Sequence, residues 1–270
     1  MPVLYVVATP IGNLEDISLR ALRILREVKL IAAEDTRTTK KLLNTYNIKT
    51  PMTSYFEHNK LTKMDYIIDC LEKGDVALVS EAGTPGISDP GHELIVAAIE
   101  RGIPVVAIPG PSAIISALTV SALPVDRFLY LGFLPRGVNS RRRVLEGISH
   151  ESGAIVILES PHRLIAALKD MLFVLGNRRI VVCRELTKLY EEVFRGSVSQ
   201  SIEHFTEPRG EFTLVIEGKR EIEKPELTGD IEQKLRKMRL SGILAKEAVG
   251  RMAKETGLSK KELYRAWLKL

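Results

Sequence analysis

The sequence predicts an α/β fold of two α/β domains followed by a small helical domain, and three observations predict it. Over residues 1–120, short β-branched runs alternate with amphipathic stretches, which is the pattern of a mostly parallel sheet covered by helices. Residues 121–220 continue the alternation, but the last two strands have little helix between them, which favours a mixed sheet. Residues 221–270 show helical periodicity alone.

The first domain is predicted to contain four strands and five helices. The strands fall on apolar runs at Val3–Ala8, Leu30–Ala33, Val76–Ser80 and Val105–Ile108. The helices are predicted at Ser18–Val28, near Thr38–Tyr46, across Met64–Glu72, at His92–Arg101 and after Pro111. The spacing of Leu19, Leu22 and Leu25 places all three on one face of the first helix, as expected for an amphipathic helix.

The second domain is predicted to begin after Leu123-Pro124. Its strands are predicted at Phe128–Gly132, Ala154–Leu158, Ile180–Cys183, Glu192–Phe194 and Phe212–Glu217. Its helices are predicted after Asn139 and at Leu164–Leu175. A polar stretch from Lys219 to Glu226 then leads into the helical tail.

The tail carries clear helix-boundary signals. Gly257 ends one helix, and Ser259 with Glu262 forms a capping box at the start of the next. Helix, glycine turn and helix of this size resemble a helix-turn-helix. Two interpretations fit this pattern: a nucleic-acid reader, or a helical cap that packs on the second domain.

Composition excludes several classes of protein. With 45% hydrophobic residues and only two cysteines in 270, the chain is neither disordered nor a disulfide scaffold. The longest apolar stretch, Pro111 to Val125, is shorter than the roughly 18 residues of a membrane span. No signal peptide is recognisable, so a cytoplasmic location is expected. Cys70 and Cys183 have no second ligand at metal spacing, and no metal site is predicted.

Charge is unevenly distributed along the chain. The net charge is +5, and residues 225–270 hold 11 Lys and Arg against 6 Asp and Glu. This asymmetry indicates an anionic partner such as nucleic acid, although a solvated helical face would show it equally. A second basic cluster contains Arg136, Arg141, Arg142 and Arg143.

Three predicted strands run into loops rich in glycine and proline, at residues 9–13, 82–86 and 109–113. In an open α/β sheet, ligands bind beyond the carboxyl ends of the strands, where glycine lets the backbone approach closely. The sequence has neither the Gly-x-Gly-x-x-Gly of dinucleotide sites nor a P-loop. The loops therefore predict a ligand held mainly by backbone atoms.

These loops and several later segments carry a resemblance to a known family. The segments are residues 8–14, 33–37, 55–59, 80–91, 108–113, 132–136, 159–163, 184–188 and 210–213. In this order they resemble the ribosomal RNA small subunit methyltransferase I family of the tetrapyrrole methylase superfamily, and the helical tail matches it too. That family transfers a methyl group from S-adenosylmethionine to the 2′-hydroxyl of a cytidine in 16S rRNA.

The resemblance implies a methyl donor folded into the cleft between the two α/β domains. By resemblance, the residues that hold it are Pro10, Ala82, Gly83, Thr84, Ile87, Ser112, Ala113, Leu158, Glu185 and Leu186. One departure is clear, since the family usually has Asp where this chain has Glu81, whose carboxylate reaches one methylene further. The superfamily also implies a homodimer.

A ribose hydroxyl is a poor nucleophile, and a base must take its proton during methyl transfer. Glu34 and His58 are the first candidates for that base or for a group that orients it, with Glu81 beside the donor and Arg37 on an RNA phosphate. Other interpretations fit as well. Asp35 is expected to cap a helix, Glu34 and Arg37 could form a local salt bridge, and His58 could be a plain surface residue.

The basic residues favour RNA as the substrate, because phosphate contacts supply most non-specific affinity. Arg136, Arg141, Arg142 and Arg143 are predicted to flank the cleft mouth and guide 16S rRNA or the small ribosomal subunit. Two alternatives belong to other classes: a small-molecule methyltransferase of the precorrin type, and a non-catalytic RNA-binding assembly factor.

Overall fold

The computed structural model describes residues 1–56, 60–219 and 227–270. The chain divides into two compact units, residues 1–219 and residues 220–270. The first unit contains two sheets, and the second consists of helices in its described part. Each unit has a hydrophobic core of its own.

The first sheet has five parallel strands. They are β1 (Leu4–Val7), β2 (Leu30–Ala33), β3 (Met52–Ser54), β4 (Val76–Val79) and β5 (Val105–Ile108). Their order across the sheet is β3-β2-β4-β1-β5. The loops that follow the strands therefore gather at one edge, where α/β sheets bind ligands.

Helices cover both faces of this sheet, which is why its interior strands β1, β2 and β4 are mostly apolar. They are α1 (Leu19–Glu27), α2 (Thr36–Thr45), α3 (Lys60–Leu71) and α4 (His92–Glu100). The helix that follows β5, α5 (Ala113–Ser121), packs on the second sheet instead. Ile31 packs with Leu25 of α1 in the core on one face, and Leu78 packs with Leu94 of α4 in the core on the other. Asp35 caps α2 as predicted, since its side chain accepts a hydrogen bond from the Arg37 backbone.

The second sheet is mixed, which confirms the sequence prediction. Its strands are β6 (Phe128–Phe133), β7 (Ala154–Glu159), β8 (Arg179–Arg184), β9 (Glu192–Ser197) and β10 (Phe212–Ile216), in the order β6-β7-β10-β8-β9. Only β6 and β7 pair in parallel. The helices α6 (Val138–Gly147), α7 (Pro161–Leu175) and α8 (Val198–His204) pack on one face. Helix α5 packs on the other face through Ala117 and Leu118.

Two elements were missed by the sequence prediction. Strand β3 has only three residues, too few to show a period, and it forms because Met52 pairs with Ile31 at the sheet edge. Helix α8 fills the gap between β9 and β10, where little helix was expected. It begins with a capping box in which Ser197 and Gln200 bond reciprocally.

The second unit contains α9 (Gly229–Leu240), α10 (Ala245–Thr256) and α11 (Lys260–Lys269). The three helices enclose a small core that includes Leu235, Met252 and Trp267. Gly257 ends α10 with a φ of +72°, and the Ser259 side chain caps α11 by accepting a bond from the Glu262 backbone. Gly257 as the end of α10 and Ser259 as the N-cap of α11 are therefore confirmed.

A search of the described residues finds no helix that is long and apolar enough to cross a membrane. Within the same ranges, His, Cys, Asp and Glu side chains form no group of three or more that could hold a metal ion.

Candidate active site

A cavity of about 580 Å³ lies where the loops at the carboxyl edge of the first sheet face the second sheet. The loops after β1, β2, β4 and β5 supply one side of its lining. Residues of β6, β7, β8 and β10 supply the other. The cavity therefore occupies the cleft in which the family resemblance implied a methyl donor.

Backbone hydrogen bonds connect the first two glycine-rich loops. The Thr9 amide donates to the Gly83 carbonyl at 2.8 Å, and the Gly83 amide donates to the Thr9 carbonyl at 3.0 Å. Gly83 has a φ of +80°, a conformation that glycine adopts without strain. The third loop lies close by, since a Cβ at Gly110 would stand 3.0 Å from the Cβ of Ala8. Backbone groups of all three loops thus meet at one place.

The structure brings almost all the predicted donor residues to this cavity. Its lining includes Pro10, Ala82, Gly83, Thr84, Ile87, Ser112, Ala113, Leu158 and Leu186. Glu185 is the exception, because its carboxylate is engaged elsewhere. It accepts hydrogen bonds from Lys188 Nζ at 3.0 Å and from the Glu211 amide at 2.9 Å. Lys188 lines the cavity in its place.

Lys188 is held as a cation at the cavity wall. Its Nζ lies 3.0 Å from Glu185 Oε1 and 3.0 Å from Glu211 Oε2. Burial alone would lower the pKa of Lys188, but the hydrogen bonds with Glu185 and Glu211 outweigh it and raise the pKa above its usual value. Glu185 therefore helps to hold the Lys188 side chain at the cavity wall.

Glu159, at the end of β7, is a cavity residue that the sequence reasoning missed. It is only 1% exposed, and burial raises the pKa of its carboxyl. Oε1 accepts the Ser160 amide at 2.9 Å, whereas Oε2 is buried without a hydrogen-bond partner among the described residues. A buried, unsatisfied acceptor in a cavity wall fits a ligand that donates hydrogen bonds, as the hydroxyl and amino groups of S-adenosylmethionine do.

Two of the predicted catalytic residues come together at the cavity. Glu34 follows β2 and Glu81 follows β4, and both line the cavity. The Glu81 amide donates to Glu34 Oε2 at 3.0 Å, which positions the Glu34 carboxylate. The local salt bridge considered for Glu34 and Arg37 is replaced by one between Arg37 and Asp35 at 3.3 Å. Arg37 is exposed and does not line the cavity.

His58, the other predicted base, lies outside the described residues. The site nevertheless has a carboxylate that the sequence reasoning did not select, Asp89 in the loop after β4. Burial raises the pKa of Asp89 to about 6. The nearby Glu34 adds to the shift, a hydrogen bond with Ser80 opposes it, and Glu81 adds further. The turn sequence Ser88-Asp89-Pro90-Gly91 was the feature of the sequence that could have indicated Asp89.

Tyr130 of β6 extends this polar edge of the cavity. Its hydroxyl forms a hydrogen bond with the Ser88 hydroxyl. Burial raises the pKa of Tyr130, the bond with Ser88 lowers it, and the charge of Asp89 raises it again. Tyr130 is therefore a neutral hydroxyl at neutral pH, suited to donate or accept a hydrogen bond.

The basic cluster divides into residues with different surroundings, and the prediction for Arg141 is wrong. Arg141 is 4% exposed, and its Nε donates to Asp170 Oδ2 at 2.7 Å. A buried, paired guanidinium cannot reach an RNA phosphate. Arg142 also pairs with Asp170 at 2.7 Å but is partly exposed, and its guanidinium stacks on Phe173. Arg136 and Arg143 are exposed.

Comparisons with known proteins identify the fold and the family of the chain. Residues 3–201 match the family of Tetrapyrrole (Corrin/Porphyrin) Methylases. Uroporphyrin-III-C-methyltransferase from Thermus thermophilus has the same fold: 19% identity, 80% of this chain and 94% of that chain covered, TM-score 0.56. A second structure of that enzyme, complexed with S-adenyl homocysteine, has 17% sequence identity to this chain and a TM-score of 0.58. The match covers 80% of this chain and 97% of that chain.

Curated relatives are more similar in sequence, and those described here are named ribosomal RNA small subunit methyltransferase I. The relative from Halalkalibacterium halodurans is 47% identical over 97% of this chain and 93% of its own. The relative from Synechocystis is 44% identical over 100% of this chain and 99% of its own. The relative from Thermotoga maritima is 51% identical over 80% of this chain and 98% of its own. The chain therefore belongs to the tetrapyrrole methylase family and, within it, to the ribosomal RNA small subunit methyltransferase I group.

Proposed function

We propose that this chain transfers the methyl group of S-adenosylmethionine to the 2′-hydroxyl of a cytidine in small-subunit rRNA. The observation that carries the proposal is the cavity in which three glycine-rich loops of one sheet face the end of a second sheet. Relatives of the same printed name, aligned over nearly their full length, support the rRNA substrate. A cytoplasmic homodimer is part of the proposal, and sedimentation of the purified chain tests the dimer.

The donor residues act mainly by orientation. Bound S-adenosylmethionine supplies an electrophilic methyl group attached to a sulfonium. Its positive charge is lost as the reaction proceeds, so strong stabilisation of that charge before reaction would not accelerate transfer. The backbone of the loops around Thr9, Gly83 and Gly110 instead fixes the direction of attack. A well-oriented pair of reactants gains about 7–11 kcal/mol from proximity.

RNA contacts are assigned to exposed basic residues. Arg136 and Arg143 are exposed, and the partly exposed Arg142 completes this group, which replaces the predicted set that included Arg141. Residues 227–270 hold 11 Lys and Arg against 5 Asp and Glu. We therefore assign the helical unit to substrate affinity and methyl transfer to residues 1–219.

Ribose-methylation mapping of rRNA at single-nucleotide resolution tests the function in a strain that lacks this chain. We expect one small-subunit cytidine to lose its methyl group and to regain it when the chain is restored. Unchanged marks with a missing metabolite would instead support a small-molecule methyltransferase. Unchanged marks and metabolites with altered subunit assembly would support a non-catalytic assembly factor.

The helical unit yields a prediction of its own. Lys260, Lys261 and Arg265 are exposed on α11. Each contact between a basic side chain and a phosphate releases counterions from the RNA, which favours binding. Joint replacement of these three residues by alanine is therefore expected to weaken rRNA binding. The slope of log affinity against log salt should become shallower by about 2 to 3. Filter binding at several salt concentrations measures both quantities.

A matched control removes the same charge from the opposite edge of the first sheet. Lys49, Lys73 and Arg101 are exposed and precede strands of that sheet, so they lie away from the cavity. Their joint replacement by alanine should leave the salt slope unchanged. Equal slopes for the two triple variants would contradict a role for α11 in RNA binding.

A further inference from the structure

A second cavity adjoins the first and is not explained by donor binding. It has a volume of about 610 Å³. Its lining consists of Glu34, Phe56, Gly86, Ile87, Ser88, Asp89, Pro90, His92 and Glu93. Four of these residues, Glu34, Ile87, Ser88 and Asp89, line the donor cavity too. The two cavities therefore meet at a border that contains two carboxylates.

We propose that this second cavity receives the ribonucleoside to be methylated and that Asp89 accepts the proton of its 2′-hydroxyl. The inference rests on the proposed function and adds the acceptor site and the base to it. In-line transfer requires the attacking oxygen about 3 Å from the methyl carbon, on the side opposite sulfur. The border between the cavities is the place where a ligand in one can reach a ligand in the other.

The walls of the second cavity suit a nucleoside. Phe56 offers an aromatic ring that is 37% exposed, and Ile87 offers an apolar side chain that is 59% exposed. An unstacked RNA base binds to such surfaces through its face, and the ribose can then point towards the polar border. Glycine and proline at Gly86 and Pro90 keep the backbone of this wall bare of bulky side chains.

Asp89, which lines both cavities, is suited to take the proton. Its pKa of about 6 leaves it ionised at neutral pH yet basic enough to accept a proton. Glu34 Oε2 accepts the Glu81 amide, and the charges of Glu34 and Glu81 both raise the pKa of Asp89. The other groups facing this border are Ser80, Ser88, Tyr130, His92 and Glu93.

The step balances without a metal or an oxidant. The O–H bond of the ribose breaks, and its proton goes to the Asp89 carboxylate. The oxygen forms a bond to the methyl carbon while the carbon–sulfur bond breaks. The electron pair of that bond stays on sulfur, which leaves as a neutral thioether. Asp89 returns its proton to water after the product departs.

Asp89→Asn tests the base, with Asp126→Asn, an exposed change outside both cavities, as the matched control. Single-turnover methylation of small subunits should fall about 10²- to 10⁴-fold in Asp89→Asn and stay unchanged in the control. S-adenosylmethionine affinity, measured by calorimetry, should change less than threefold. The wild-type rate should rise with pH through a limb near pH 6 that Asp89→Asn lacks.

Two further measurements are independent of the fully active enzyme. Carboxyl ¹³C NMR of the wild-type chain, with Asp89→Asn for assignment, should show one aspartate titrating near pH 6. Phe56→Ala should weaken the binding of a cytidine-containing RNA oligonucleotide about tenfold, because a stacked base is lost, whereas Phe56→Tyr should retain binding. Normal binding by Phe56→Ala would overturn the acceptor site.

The outcomes separate this inference from the proposed function. A wild-type chain that leaves small-subunit rRNA unmethylated overturns both. An active wild type overturns the inference alone if Asp89→Asn keeps its rate within tenfold, or if Asp89→Asn loses donor affinity in parallel with its rate. Loss of rate with intact donor affinity and a missing pH 6 limb supports it.

Discussion

Replacing Ala113 with tryptophan is expected to abolish binding of S-adenosylmethionine while the fold persists. Ala113 is the first residue of α5 and lines the donor cavity of about 580 Å³. An indole at this position would occupy space that the donor needs, yet Ala113 belongs to none of the hydrophobic cores. The dissociation constant should rise at least 100-fold, which corresponds to about 2.7 kcal/mol of binding free energy.

Ile115→Trp provides the matched control on the same helix. Ile115 is 55% exposed and lies outside the cavity lining, so the same indole there should leave affinity within about twofold. Calorimetric titration measures the affinity of both variants, and thermal unfolding checks that both are folded. Unimpaired donor binding by Ala113→Trp would show that the donor lies elsewhere and would remove the basis of the proposed function.

The fold could be predicted from sequence because its elements follow local patterns. The strands β1, β2, β4 and β5 are short apolar runs, and the helices between them have an apolar face. The edge strand β3 has no such pattern, since it is defined by pairing with β2. The domain boundaries near residues 120 and 220 stay predictions.

The donor site could be predicted in outline because glycine and proline mark its loops, and the structure brings those loops together. Two site residues depend on distant parts of the chain, and their local sequence did not assign them a role in the site. Asp89 sits in a turn sequence, and its raised pKa comes from burial and from Glu34, 55 positions earlier. Glu159 lies among the apolar residues of β7, and only the fold shows that it faces the cavity.

The run Arg141-Arg142-Arg143 shows why residue type alone was insufficient. Successive residues of a helix point in directions about 100° apart, so three neighbouring arginines cannot share one environment. In α6, Arg141 turns inward and Arg143 outward. The partner that decides the role of Arg141 is Asp170 in α7, which the sequence places 29 residues away.

Asp170→Asn is expected to lower the free energy of unfolding by about 3–5 kcal/mol, because it leaves the buried Arg141 without its counter-charge. Burial opposes the ionisation of Asp170, but hydrogen bonds from Arg142 and Arg141 outweigh it and hold the pKa of Asp170 below its usual value. A lowered pKa means that this stabilisation is present at neutral pH. It is lost as the pH falls through the folded-state pKa of Asp170, below its ordinary value near 3.8.

Urea unfolding at pH 7 distinguishes a structural arginine from an RNA-binding one. Arg141→Gln should share the instability of Asp170→Asn. Arg143→Gln, at an exposed position of the same helix, should change the unfolding free energy by less than about 0.5 kcal/mol and weaken rRNA binding instead. A stable Arg141→Gln variant with reduced rRNA affinity would reverse this assignment. The Arg141 side chain would then have to leave Asp170 to meet the substrate.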